Sequence, residues 1–264
     1  IGLKISRFIF SYIFFKVDNF FKSKNIILQN LDKINSKLSS EDKEVIIKKM
    51  WFNYGKTFVE YFHLNAFKKK FDHINIKNKQ ILDKIIKKDK PVIFVSGHFA
   101  NYELMSMELK KANIKLATIY RPLNNIFLNP FMEYIRKSFV CENQIKKGIG
   151  GVKEALKFLK KNYSIALMVD QRVSEGSKVL FFNNNAYTTT LPFQFASRFN
   201  YDIVPIYISR KYDDNFEMEI LEPIEIPESE KNSKEIISKK INEIIERLIL
   251  RDPSQWILTH NRWK

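Results

Sequence analysis

The chain has 264 residues and carries 45 Lys and Arg against 29 Asp and Glu, a formal charge of +16. With 45% hydrophobic residues and only seven Gly and eight Pro it is not a disordered or loop-dominated protein, and it is long enough for one large domain or a domain with a helical extension. Its single cysteine, Cys141, excludes an intrachain disulfide and a Cys-x-x-Cys metal or redox site, which points to a reducing compartment.

The start, residues 1–16, is apolar and aromatic with basic residues interspersed. Its uninterrupted apolar stretches fall well short of the roughly 18–20 residues of a spanning helix. No small-residue cleavage site follows, so a signal peptide is not expected. The chain begins at Ile1 and not at Met, so upstream residues would be able to complete a spanning anchor; as it stands, the segment reads as an interfacial helix or a core helix. Residues 26–70 read as helical. Leu28, Leu31, Ile34 and Leu38 fall at helical spacing, Ser39-Ser40-Glu41-Asp42 supplies an N-terminus, and a second helix is expected from about Lys43 to Phe67. A third is expected from Asn78 to Lys88, making residues 1–89 an all-helical, membrane-associating region.

From Lys90 the pattern alternates. Strands are expected at Val92–Ser96, Lys115–Tyr120, Ser164–Val169, Lys178–Phe182, Ile203–Arg210 and Phe216–Leu221. Helices are expected at Asn101–Ala112, Val152–Lys161, Leu191–Phe199 and Ser233–Leu250. Alternation with short connections predicts an α/β fold, a mixed sheet flanked by helices over residues 90–264, continuous with the helical region.

Chemistry concentrates where the strand Val92–Ser96 ends, in Gly97-His98-Phe99-Ala100-Asn101-Tyr102-Glu103. The carboxyl ends of strands are where open α/β sheets present functional groups. Five residues along an ideal helix separate two side chains by roughly 140°, so His98 and Glu103 share no helical face. They can meet only if His98 lies in the loop and Glu103 reaches back from the first turns. The carboxylate would then fix the imidazole tautomer while the other ring nitrogen removes a proton, which suits activation of a hydroxyl for attack on a thioester. A helix N-terminus nearby would add amide dipoles for a phosphate or an oxyanion.

In this motif, in Tyr120-Arg121-Pro122, in Asp170-Gln171, in Ala186 with Thr188-Thr189-Thr190, and in Gln255-Trp256 with His260-Asn261-Arg262-Trp263-Lys264, the sequence resembles the bacterial lipid A biosynthesis acyltransferases, a family of lauroyl and myristoyl transferases within the lysophospholipid acyltransferase group. The order and spacing match from about residue 45 to the end. Family members commonly have Gly where Ala100 stands and Trp where Tyr102 stands, and Glu103 favours this branch over glycerolipid acyltransferases, which usually carry Asp there.

The resemblance implies acyl transfer from an acyl carrier protein thioester, or acyl-CoA, to a hydroxyl of a lipid A precursor at the cytoplasmic face of the bacterial inner membrane, without a cofactor or metal. His98 would be the general base and Glu103 its partner. Arg121 suits a bidentate phosphate contact. Asp170 should emerge on the same sheet edge as His98, with Gln171 and Arg172 at that mouth. Lys147, in the basic loop around Gly148-Ile149-Gly150-Gly151, and Asn101 complete the substrate-binding set. The expected partners are the carrier protein, an anionic glycolipid acceptor and a membrane surface.

Other residues read as structural. His63 and His73 have no partner at ligand spacing, and nothing adjacent activates Cys141. His260 and the Trp256, Arg262 and Trp263 tail are expected to pack or to meet the membrane interface. The charge alone would admit nucleic acid, but no RNP, zinc-finger or helix-turn-helix signature accompanies it, and Lys, Ile and Asn bias accounts for part of the excess. Two alternatives stay open: acylation of another lysophospholipid or glycolipid, and a non-catalytic basic membrane-binding relative.

Overall fold

A computed structural model describes residues 2–17, 24–226 and 233–264; Ile1 of the apolar start lies outside them. The centre of the fold is a seven-stranded sheet in the order β1-β9-β8-β2-β5-β3-β4, comprising Ile74–Lys77, Phe216–Ile220, Ile203–Arg210, Ile93–Ser96, Ser164–Met168, Leu116–Tyr120 and Gln144–Lys146. Every neighbouring pair is parallel except β8 with β9, so the sheet is mixed as expected. All residues of β2 and β8 are buried, which is why these strands read as apolar runs with polar residues, Ser96 and Ser209-Arg210, only at their carboxyl ends. A separate antiparallel hairpin joins β6 (Ser177–Phe181) to β7 (Asn184–Thr188). Its two turn residues, Phe182 and Asn183, have φ of 48° and 57°, as a two-residue hairpin turn of this twist requires.

Helices cover both faces. Those in the α/β part are α6 (Glu103–Lys111), α7 (Leu128–Ile135), α8 (Ile149–Lys160), α9 (Leu191–Phe199) and α10 (Lys234–Arg251). In α10, Ile237, Ile241, Ile245, Leu248 and Ile249 form one buried stripe at helical spacing. The N-terminal part supplies α1 (Leu3–Lys16), α2 (Lys24–Ile34), α3 (Ser40–Glu60), α4 (Leu64–Lys69) and α5 (Lys79–Lys88). The expected start at Ser39 is a capping box: Ser39 Oγ accepts the Asp42 N–H at 3.0 Å, and Asp42 Oδ2 accepts the Ser39 N–H at 3.3 Å.

Two expectations change, and several elements were not anticipated. The long helix ends at Glu60, and a 3-10 turn at Tyr61–His63 redirects the chain into α4. The first third is not all helical: β1 joins the sheet edge beside β9, and four alternating residues were too few to announce it. The stretch between Arg121 and Lys147 holds α7, a wide π turn at Arg136–Val140 and β4, while the second hairpin strand, β7, was also missed.

The first helix inverts the usual amphipathic arrangement. Ser6, Arg7 and Ser11 are its buried residues, while Phe8 is 74% exposed and Ile5, Tyr12 and Ile13 also face outward. Its backbone lies directly on α3 because position 55 is Gly; a Cβ there would overlap the Phe10 carbonyl. No helix among the described residues is long and apolar enough to cross a membrane.

Candidate active site

Four parallel strands deliver the site from their carboxyl ends. His98 follows β2, Asp170 follows β5, Arg121 follows β3 and Lys147 follows β4. His98 sits in the loop before α6, as the spacing required, and Ala100 in that loop has φ of 44°. Glycine takes this left-handed conformation without a Cβ penalty, so the alanine here carries some strain.

The ring of His98 is held by Asp170, which is 1% exposed. His98 Nδ1 lies 2.7 Å from Asp170 Oδ1, and Asp170 Oδ2 accepts the backbone N–H of His98 at 2.9 Å. Trp256 Nε1–H donates to the same Oδ2 at 2.8 Å. Burial alone would raise the Asp170 pKa, but the charge of His98 and these hydrogen bonds outweigh it and hold the carboxyl at about 2. An ionised Asp170 fixes the proton of a neutral His98 on Nδ1 and leaves Nε2 as the accepting nitrogen.

Glu103 does not take this role. Its Oε1 accepts from Arg136 Nε at 2.8 Å and from Tyr61 Oη at 3.0 Å, and Arg136 Nη2 lies 2.8 Å away. The expected reach back to His98 is replaced because the π turn brings Arg136, 6% exposed, against the first turn of α6, where an ion pair outcompetes a neutral imidazole. Burial opposes the Arg136 charge, but Glu103, together with the Tyr61 and Tyr102 hydroxyls, outweighs it and leaves the guanidinium pKa raised. Tyr102 bridges the two groups: its ring packs edge-on against His98, with centroids 4.6 Å apart, and its hydroxyl lies 3.2 Å from Tyr61 Oη.

Asn101 also departs from expectation. It is 1% exposed and donates through Nδ2 to Glu60 Oε2 at 2.9 Å. Glu60, fully buried, gathers Arg7 of α1 at 2.6 Å and Arg210 of β8 in a short contact. This network fastens α1, α3, β8 and the His98 loop to one another. Asp170, too, is buried behind the His98 ring.

A cavity of about 410 Å³ opens in front of His98, and Glu103, Arg121, Lys147, Gln171 and His260 contribute to its wall. The binding expectations for Arg121, Lys147 and Gln171 therefore fall around one space. Partial desolvation, followed by the charge of Arg121, pushes the Lys147 pKa down, as expected where the two cations share one wall with Arg136. Arg172 was expected at this mouth but does not line the cavity: its guanidinium lies 5.6 Å from the centre of the Tyr187 ring, and its backbone N–H donates to His260 Nε2 at 3.0 Å.

The sequence model described as "Bacterial lipid A biosynthesis acyltransferase" matches residues 1–264. The chain belongs to that family. No curated protein matches it. Family membership makes it an acyltransferase of lipid A biosynthesis in general terms, and the whole described fold, α1 included, falls within the matched region.

In this acyltransferase the closing segment is internal structure. Trp256 is completely buried on Asp170, and Arg262, also completely buried, donates to Tyr187 O at 2.7 Å and Thr188 Oγ1 at 2.6 Å. Trp263 Nε1–H donates to Phe181 O at 3.0 Å. This tail was expected to pack or to meet a membrane interface; Trp256 as a donor to the His98 partner was not expected. Cys141 is a buried thiol, and burial raises its pKa, which keeps it protonated and inert. Among the described residues no cluster of His, Cys, Asp or Glu is placed to hold a metal.

Proposed function

We propose that the protein transfers a fatty acyl group from an acyl carrier protein thioester to a hydroxyl of a lipid A precursor, at the cytoplasmic face of the inner membrane. The reading rests on one observation above the others: His98 is locked by Asp170 at two points and faces a cavity walled by Arg121 and Lys147. His98 Nε2 takes the proton of the acceptor hydroxyl while Asp170 stabilises the imidazolium that forms. The hydroxyl oxygen bonds the thioester carbonyl carbon. Collapse then breaks the C–S bond, and the leaving sulfur takes the proton from His98.

Arg121 and Lys147 suit the phosphate of an anionic glycolipid, with Gln171 as a further polar contact. Glu103 is a positioning residue, holding Arg136 in the wall beside His98 and accepting from Tyr61 behind it. The outward Ile5, Phe8, Ile9 and Tyr12 of α1 favour contact with a lipid surface. An ordered His98–Asp170 pair favours catalysis over a non-catalytic anchor, and the net charge of +16 favours an acidic carrier protein over a small thioester donor.

The test is mass spectrometry of lipids from a host lacking its own late acyltransferase, with and without this protein. A gain of one acyl chain on the lipid A precursor, abolished by His98→Ala in a folded protein, is expected. A lipid profile unchanged by the wild-type protein, or the same gain with His98→Ala, overturns the reading.

A further inference from the structure

His98 and His260 line the same cavity, and the loop that follows β5 holds both rings. It holds them with opposite polarity. Asp170 accepts at His98 Nδ1, which leaves His98 Nε2 as a free acceptor. Two residues on, the Arg172 backbone N–H donates to His260 Nε2 at 3.0 Å. A backbone amide can only donate, so this contact assigns the lone pair to Nε2 and the ring proton to Nδ1.

We propose that His260 is a second catalytic residue: its Nδ1–H is the hydrogen-bond donor to the thioester carbonyl oxygen as that oxygen becomes the alkoxide of the tetrahedral intermediate. The inference rests on the acyl-transfer reading above. As the acceptor oxygen bonds the carbonyl carbon and its proton passes to His98 Nε2, the carbonyl π pair moves onto the oxygen facing His260. When that pair returns, the C–S bond breaks and the sulfur takes the proton from His98. His260 supplies a hydrogen bond throughout and gives up no proton.

The position is rigid in the way such a donor requires, because a prepositioned group costs no reorganisation as charge develops. Asn30 of α2, 2% exposed, donates through Nδ2 to the carbonyls of both Leu258 and His260 at 2.8 Å. The ring also stays neutral near pH 7. Burial depresses its pKa, the Asp170 charge opposes this, and the charges of His98, Arg262 and Arg121 add to the depression, leaving it at about 4. Protonation would place a second N–H against the Arg172 amide, so the same geometry that orients the ring keeps it neutral.

Two substitutions separate the donor from the anchor. His260→Gln sets an amide oxygen at the Nε2 position and keeps the Arg172 contact, but leaves nothing at Nδ1. His260→Asn keeps an N–H at the Nδ1 position and gives up Arg172. The assay uses a lauroyl carrier protein thioester and underacylated lipid A from the host described above, with thermal melts of each variant. The expected result is a kcat loss on the order of 10²–10³-fold for His260→Gln with KM within about threefold, and a loss below about tenfold for His260→Asn. Wild-type kcat in folded His260→Gln, or equal losses in both variants carried by KM, overturns the assignment and leaves acyl transfer standing. No turnover by the wild-type protein sinks the acyl-transfer reading and this one with it. Independently of any variant, imidazole nitrogen NMR of the wild-type protein at pH 7 should find His260 protonated on Nδ1; the opposite tautomer overturns the proposal.

Discussion

The Asp170 carboxylate grips His98 at both of its oxygens, 2.7 Å from the ring Nδ1 and 2.9 Å from the backbone N–H. Loop position and ring orientation are therefore set by the same buried group, and Trp256 holds that group from behind. Asp170→Asn keeps the shape of this arrangement and removes the charge. An amide that donates to Nδ1 would move the ring proton to Nε2, the nitrogen that must accept. The expected kcat loss is roughly 10²–10⁴-fold with little change in KM. Steady-state kinetics check it, and near wild-type kcat in Asp170→Asn would remove Asp170 from the mechanism.

Glu103 and Arg136 are buried partners, at 7% and 6% exposure. Arg136→Ala strands a carboxylate between the hydroxyl of Tyr61 and an empty guanidinium site, at a cost of about 3–5 kcal/mol. Glu103→Gln keeps a carbonyl oxygen for both neighbours and should cost less. Urea unfolding of both single variants and the double variant gives the coupling directly; additive losses would show that the pair does not act as a unit.

Gly55 lets the backbones of α1 and α3 touch at Phe10. Gly55→Ala should force them apart, costing about 1–3 kcal/mol by overpacking, more than alanine's better helix propensity returns. The same displacement would pull Arg7 from Glu60. Limited proteolysis should then cut within α1 faster than in the wild-type protein, whereas unchanged cleavage would show that α1 adapts to the added methyl.

Two groups give the stability a defined pH dependence. Asp170 is depressed from 3.8 to about 2, so the native state binds its proton more weakly than the unfolded chain does. Its contribution is complete above about pH 4 and is lost as pH falls towards 2. His260 is depressed from 6.5 to about 4, so between those values the unfolded chain takes up a proton that the native ring does not. Stability should fall with pH through that window as well. Unfolding free energies measured from pH 7 to pH 4 should decline less steeply for His260→Gln; an identical slope would contradict the neutral ring.

Ala100 sits at φ 44°, where a side chain is strained. Ala100→Gly should relieve about 1 kcal/mol of that strain, partly offset by greater freedom in the unfolded chain. A rise in midpoint with unchanged activity is expected on thermal melting, and a fall would show that the Ala100 methyl packs more than it strains.

Much of this protein was determined by local sequence. Leu191–Phe199 and Ile203–Arg210 have the bounds expected from their patterns, and the other long elements of the α/β part lie within a few residues. Apolar period and turn chemistry act over neighbouring residues, so a linear reading captures them. The strand-end positions of His98, Arg121 and Asp170 followed the same way. Only the tertiary structure decided who holds whom. Glu103 is five residues from His98 and belongs to Arg136, while Asp170 is far away in sequence and belongs to His98. The adjacent parallel strands β2 and β5, in register from Ile93 opposite Ile165 to Ser96 opposite Met168, carry His98 and Asp170 to one edge. Sheet register, a π turn and the return of the chain end to the β5 loop are long-range packing outcomes. Sequence spacing sets which groups lie near along the chain, and hydrogen-bond geometry in a buried site selects among those the fold brings together.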